Sequence, residues 1–170
     1  FRRAPVLDAN RVMVFPLVLP GDWKNASTAG EDVATLIGSA MDGAADLRWV
    51  DGWQHLSPEQ RQNIRLVGAT EATAIARAQR CRFAITGRIV ARGDSADVAL
   101  ELLDVAGDSA FTGRPTRASL ATESWRAGLA AITALLPRLI PVSTPDVASE
   151  WDARPPQAVA NFLQGEAAFR

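Results

Sequence analysis

Two alternating segments separated by a short polar turn constrain the fold of this chain more than any other feature. Alternation places apolar side chains on one face of each predicted strand: Phe83, Ile85, Ile89 and Ala91 in the first, and Val98, Leu100 and Leu102 in the second. The run 92–95 between them contains Gly93 and is typical of a β-turn. A second turn at 105–108 leads into a third predicted strand at 111–120. Together these segments predict an antiparallel meander.

The residues before the meander predict a second part of the same sheet. A nearly continuous apolar run at 11–19 indicates a buried strand, and Pro16 is expected to interrupt its ladder because proline has no N–H to donate. The spacing of Thr28 and Glu31 is that of a capping box, which predicts a helix from that point. A short second strand is predicted at 47–50.

Three more helix starts complete the predicted fold. Ser57 has Pro58 at the first helical position and Gln60 three residues later, and Thr70 is predicted to cap a helix over 71–80. Thr122 opens a longer helix whose apolar stripe is Trp125, Leu129, Ile132, Leu136 and Leu139. The order of elements predicts an α/β (α+β) fold, with a mixed sheet of about five strands packed against helices.

The chain divides by composition into four predicted segments. Residues 1–10 form an N-terminal tail, and 11–140 form the α/β domain. Residues 141–155 are rich in proline and are predicted to be a linker, and 156–170 begin a last helix.

Composition argues against several classes of function. The formal net charge is −1, so no chain-wide basic field is available to gather nucleic acid or an anionic membrane. Cys81 is the only cysteine, which excludes an intramolecular disulfide and the usual cysteine-based zinc sites. The sequence contains no phosphate-binding loop, nucleophile elbow, zinc-protease, calcium-loop or kinase catalytic motif. We therefore predict no catalytic residue, no metal site and no cofactor.

Three segments resemble the TolB amino-terminal-like domain over roughly residues 11–140. The run 12–17 is similar to the family's opening strand, and 29–41 to its first helix. The best match covers 81–89 and 98–104, where the glycines and the aspartate of the family's hairpin and following turn correspond to Gly87, Gly93, Asp104 and Gly107. The segment 49–66 departs from the family, because it carries an extra capped helix.

The resemblance implies a role in a larger bacterial signalling protein. Domains of this family stand ahead of tetratricopeptide repeats, and 156–170 resembles the first helix of such an array. Because a single helix cannot bury its own apolar stripe, we expect repeats to continue after it. Chains of this layout often begin with a serine/threonine kinase domain and a membrane helix, and others begin with a cyclase or a transcription-factor domain. The resemblance thus implies a membrane-anchored protein with this part on the extracytoplasmic, periplasmic side; a cytoplasmic location is the alternative.

A few side chains are candidates for a binding surface. They lie in loop or linker contexts and are Asp22, Trp23, Lys24, Trp53, His55 and Trp151. Exposed tryptophans often mark binding surfaces, but large aromatic rings are more often folded back onto their own domain. His55 is favoured as a surface or capping residue, and Cys81 as an inert core thiol. The acidic residues Asp94 and Asp97 are interpreted as charges that keep the hairpin soluble.

Three functions remain open from the sequence. The first is a non-catalytic sensory or scaffolding domain that binds a protein partner. The second is a small-ligand module with its site beyond the carboxyl end of the first strand, where the loop 20–27 and the helix start at Thr28 would contact an anionic group. The third is an enzyme of unrecognised type that would depend on His55. The first is favoured, with no nucleic acid as partner and a membrane contact only through a segment elsewhere in the protein.

Overall fold

The structure is a computed structural model that describes residues 5–21, 30–118, 124–140, 150–151 and 153–169. Within these residues the strands are β1 Asp8–Val14, β2 Arg48–Asp51, β3 Cys81–Arg92, β4 Ser95–Asp104, β5 Ser109–Thr112 and β6 Thr116–Ala118. The α-helices are α1 Gly30–Met41, α2 Pro58–Gln62, α3 Ala69–Ala78, α4 Ser124–Leu139 and α5 Pro156–Ala168. None of the described helices is both long and apolar enough to cross a bilayer.

The described strands form one mixed sheet, as the sequence predicted. The strand order is β2-β1-β3-β4-β5, and β6 pairs with β4 beside β5. β1 runs parallel to both β2 and β3, whereas every pairing within the meander is antiparallel. The predicted third strand of the meander is present as two short strands, because the chain leaves the regular ladder at 113–115, where the Gly113 N–H donates to the Leu100 carbonyl.

The end of β1 shows how Pro16 breaks a strand without ending its contact with the sheet. β1 begins three residues before the predicted strand and ends at Val14. Two residues beyond Pro16, Val18 returns to β3: its N–H donates to Gly87 O at 2.9 Å, and its carbonyl accepts from Ile89 N at 2.8 Å. The interruption predicted from the sequence is confirmed.

The helix starts were predicted with mixed success. Both hydrogen bonds of the Ser57–Gln60 capping box are present. The cap predicted at Thr70 is wrong, because α3 begins at Ala69 with Gly68 as its N-cap residue and no side-chain cap. The Thr28 capping box and the start predicted at Thr122 lie outside the described residues.

The two faces of the sheet are covered unequally. The first face packs against α1 and α4 and forms the main core, in which Val14, Ile85 and Leu100 are almost fully buried. On the second face, the segment from the 3₁₀-helix Gly52–His55 through α3 covers only the half nearest Cys81, where Ala84 is buried. The other half of that second face, around the β3–β4 turn, is not covered by any described helix; we call it the open sheet face.

The last helix does not stand apart from the domain. Its apolar stripe joins a third core cluster made of Leu36, Trp125, Leu129, Trp151, Val159 and Leu163. The rings of Trp151 and Phe162 meet edge to face with centroids 5.6 Å apart. Because the stripe of α5 is covered by α1 and α4, it does not by itself require a following repeat. The tetratricopeptide region and the linker at 141–155 stay predictions, and 141–149 lie outside the described residues.

Candidate functional site

The open sheet face is the most distinctive surface of the described chain. It carries the side chains that point away from the main core on β3 and on the strands beside it: Thr86, Arg88, Val90, Arg92, Asp97, Ala99, Glu101, Thr112 and Arg117. Pairing register places them in rows, with Thr86 beside Glu101 and Arg88 beside Ala99. Val90 is 37% exposed, one of few large apolar side chains at the described surface.

A groove begins on this face and runs toward the start of α3. It has a volume of about 430 Å³ and is lined by parts of β3, β4 and β5 on one side and by Arg65 and Val67 on the other. The Arg65 guanidinium is held at the rim by donating to Leu19 O at 2.8 Å. On the floor, the Thr86 hydroxyl donates to Glu101 Oε2 at 3.4 Å. No aromatic side chain lines the groove among the described residues.

Next to the groove, one carboxylate holds two arginines. Arg92 Nε donates to Asp97 Oδ2 at 2.8 Å, and Arg117 Nε donates to Asp97 Oδ1 at 2.9 Å. The Asp97 side chain is 13% exposed, whereas those of Arg92 and Arg117 are 62% and 64% exposed. The hydrogen bond from Arg117, and then that from Arg92, holds the pKa of Asp97 below its usual range, and the same contact raises the pKa of Arg117.

This arrangement corrects the interpretation of Asp97 as a solvated charge on the hairpin. The carboxylate is nearly buried because it is paired on both sides across the strands. One indication was available in the sequence: pairing outward from the Gly93–Asp94 turn brings Arg92, Val90 and Arg88 onto the face that carries Asp97. Arg117 could not be found in this way, since the break at 113–115 sets the register of β6.

A second and smaller cleft lies at the carboxyl end of β1. The ligand hypothesis placed a site at this end of the strand, but residues 22–27 of its loop and Thr28 lie outside the described residues. The cleft has a volume of about 210 Å³ and lies between the start of α1 and the segment that follows β2; Trp53, Arg61, Asn63 and Arg65 line it. The Arg61 guanidinium lies 5.5 Å from the centroid of the Trp53 ring and donates to the carbonyls of Trp53 and Gln54. This cleft is therefore polar at its rim, with one aromatic wall.

The predicted surface residues that the structure describes, Trp53, His55 and Trp151, do not lie in one site. Trp53 is half-buried beside Arg61, and His55 is exposed two residues further along the same short 3₁₀-helix. Trp151 is 6% exposed and lies in the cluster formed by α1, α4 and α5, so the expectation that the ring folds back onto the domain is confirmed for it. Asp22, Trp23 and Lys24 lie outside the described residues. The binding role of this set stays a prediction.

Groups that could carry chemistry are dispersed over the described part of the chain. No three His, Cys, Asp or Glu side chains there are placed to hold a metal ion. Cys81 is buried, its Sγ–H donates to Gln79 O at 3.8 Å, and burial raises the pKa of its thiol. The burial expected of a core thiol is confirmed. The raised pKa leaves less of the thiolate, which is the reactive form.

Comparison with known proteins supports the fold and nothing finer. No protein-family model and no curated protein matches the chain. The C-terminal domain of LpoB from Salmonella enterica is similar in structure, with a TM-score of 0.50 and 15% identity over 66% of this chain and 84% of that domain. This likeness shows a shared fold.

Two further solved structures are similar at a lower level. TolB from Acinetobacter baumannii has a TM-score of 0.47 and 15% identity, covering 82% of this chain and 30% of TolB. The PelC L103M dodecamer from Paraburkholderia phytofirmans has a TM-score of 0.46 and 17% identity, covering 80% of this chain and 93% of PelC. Structures named TolB and LpoB are thus among those similar to this chain, while the kinase and tetratricopeptide expectations depend on the sequence resemblance alone.

Proposed function

We propose that this chain is a non-catalytic scaffolding domain of a larger bacterial signalling protein, and that it binds a protein partner through the open sheet face. The observation that carries the proposal is the unequal cover of the sheet. Helices α1 and α4 pack over the first face, whereas no described helix covers the second face around Val90 and the exposed arginines Arg88, Arg92 and Arg117. An uncovered patch that mixes apolar and arginine side chains is typical of an interaction surface.

Site-specific photocrosslinking in the intact full-length protein tests this proposal. A photoreactive phenylalanine analogue replaces Val90 on the open sheet face, and the matched control carries it at Gln157, which is exposed on α5. We expect one dominant adduct from position 90 and none of the same mass from position 157. The captured protein, once identified, must form a saturable complex with the purified full-length protein. Equal labelling from both positions, or a partner that fails to bind when purified, would refute the proposal.

A small-ligand module is the second candidate, because of the cleft at the end of β1. Its volume of about 210 Å³ is below the range of about 300–1,000 Å³ that is typical of pockets for drug-sized ligands, so a small organic acid fits better than a nucleotide. Arg61 and Arg65 supply positive charge to its lining, against the one carboxylate of Glu31. A thermal-shift screen of small acids tests this candidate: a shift that Arg65→Gln abolishes would support it, and no shift with any acid would count against it.

The setting of the domain is proposed from the TolB-like resemblance. The full protein would carry a serine/threonine kinase domain and a membrane helix before this domain, and tetratricopeptide repeats after it. The domain itself would then lie on the extracytoplasmic side of the membrane. Protease added to spheroplasts, in which the outer membrane has been opened, should cut this domain in the full-length protein, whereas protection until the spheroplasts are lysed would place the domain in the cytoplasm.

A further inference from the structure

The open sheet face concentrates positive charge on a chain that is nearly neutral. Its surface and the groove rim carry four arginines, at positions 65, 88, 92 and 117, against two carboxylates, Asp97 and Glu101. The formal net charge of the whole chain is −1. A local excess of positive charge attracts an anionic partner and repels a cationic one.

The two arginines held by Asp97 keep donors available for a partner. Among the described residues, Arg92 donates only through Nε, so both of its terminal amino groups stay free for an incoming acceptor. Arg117 uses Nε and, at 3.5 Å, one terminal amino group, both toward Asp97. Arg88 has no ion-pair partner within the described part of the chain, and its side chain is exposed. Because Asp97 already holds Arg92 and Arg117 in place, these two side chains lose less conformational entropy when they bind a carboxylate of the partner.

The spacing of these arginines fits an extended polypeptide. Side chains on one face of a strand recur every second residue, about 6.7 Å apart, so Arg88 and Arg92 are separated by about 13 Å along β3. Acidic residues at alternate positions of an extended peptide recur at the same interval. Val90, between the two arginines and 37% exposed, offers an apolar contact for the same segment.

Single-stranded nucleic acid fits this face less well. Proteins that bind it combine basic grooves with aromatic rings on which the bases stack. The groove has no aromatic lining among the described residues, so it offers no ring on which a base could stack.

We propose that the partner bound at the open sheet face presents an extended, acidic segment, whose carboxylates pair with Arg88, Arg92 and Arg117. This inference rests on the proposed scaffolding function and adds the chemical class of the partner. It assigns direct contacts to three arginines that the sequence did not mark.

Fluorescence anisotropy with a defined probe tests the inference on the full-length protein. The probe is a labelled twelve-residue peptide of alternating glutamate and serine, compared with its lysine–serine counterpart and with a twelve-nucleotide oligothymidine. We expect the acidic peptide alone to bind, and its affinity to fall about fivefold for each of Arg88→Gln and Arg92→Gln at low salt. The matched control is Arg48→Gln, which removes the same charge from a side chain that is also 62% exposed but lies on β2.

Each outcome decides between the alternatives. Retained binding in Arg48→Gln with loss in Arg88→Gln and Arg92→Gln supports the inference. Equal loss in all three variants shows attraction by net charge only and overturns it, as does tighter binding of oligothymidine. Arg88→Gln breaks no ion pair among the described residues, so loss of binding in a variant whose thermal unfolding matches the wild type reports a lost contact with the peptide. Absence of any peptide binding, with the position-90 crosslink still present, overturns the acidic partner and leaves the scaffolding function standing.

Discussion

The substitution Gly38→Ala in α1 is expected to destabilise the protein, although alanine is the better helix former. Gly38 packs against the indole ring of Trp49. A Cβ added at this position would lie 2.1 Å from Cε2 and 2.3 Å from Nε1 of that ring. These atoms belong to a rigid, half-buried side chain whose backbone N–H is itself fixed by Asp42 Oδ1 at 2.8 Å. The ring would therefore have to move by more than an ångström.

Two opposing effects set the change in the free energy of unfolding caused by Gly38→Ala. Replacing glycine by alanine inside a helix stabilises it by about 1 kcal/mol when nothing is in the way. Forcing an extra methyl group into a packed site costs about 1–3 kcal/mol. The overlap at Gly38 places this substitution in the upper half of that range, so we expect a net loss of about 1–2 kcal/mol. For a domain of this size that corresponds to a fall in Tm of about 2–4 °C for each kcal/mol.

Urea denaturation followed by far-UV circular dichroism measures the free energy of unfolding. The matched control is Gly165→Ala in α5, where an added Cβ meets nothing within 4 Å and should stabilise by about 0.5–1 kcal/mol. Combining Gly38→Ala with Trp49→Leu should remove most of the cost of the alanine, since the two changes act through one contact. A Gly38→Ala variant as stable as the wild type would refute the packing argument.

Three other predictions address the ion-paired carboxylate, the C-terminal helix and the thiol. Folding lowers the pKa of Asp97. The contribution of this carboxylate to stability is therefore present above its unfolded pKa of about 4 and is lost as pH falls through the folded value. In urea titrations, the difference in stability between the wild type and Asp97→Asn should shrink below pH of about 4. Trp151→Ala should cost about 3–5 kcal/mol, because the ring is 6% exposed and its loss leaves a cavity beneath α5; a change in Tm under 3 °C would contradict its burial. Cys81 should resist a thiol reagent at pH 8 in the native protein and react at once in denaturant, and rapid native labelling would show that the thiol is accessible.

Features that depend on neighbouring residues were predictable. The hairpin was found because alternation and the turn at Gly93, which has φ of 61°, belong to one continuous stretch. The Ser57–Gln60 capping box was found because both partners lie within one helical turn. The cap at Thr70 was placed wrongly, since a threonine also fits inside the first turn of a helix and Gly68 precedes it.

The candidate site could be predicted only in part. The alternation of β3 assigns Arg88, Val90 and Arg92 to one face, but it cannot say whether a helix covers that face. The answer depends on the length and position of α3, which covers only one half of it. The tryptophans of the predicted binding surface show the same limit. Trp151 is buried in a cluster with residues of α5, the helix that follows the proline-rich segment, and that contact could not be predicted from the residues around the tryptophan.

The sequence by itself determined the mixed α/β class, the strand interruption at Pro16 and the hairpin register, because each follows from backbone chemistry and spacing within a few residues. The tertiary structure alone decided that Asp97 pairs with Arg117, twenty residues away, and that α5 returns to α1 and α4. These contacts join segments whose approach is set by the packing of the whole core. A nearly buried carboxylate must be paired or hydrogen-bonded, and the two cations beside Asp97 come from two different strands, so no local sequence pattern predicts the contact.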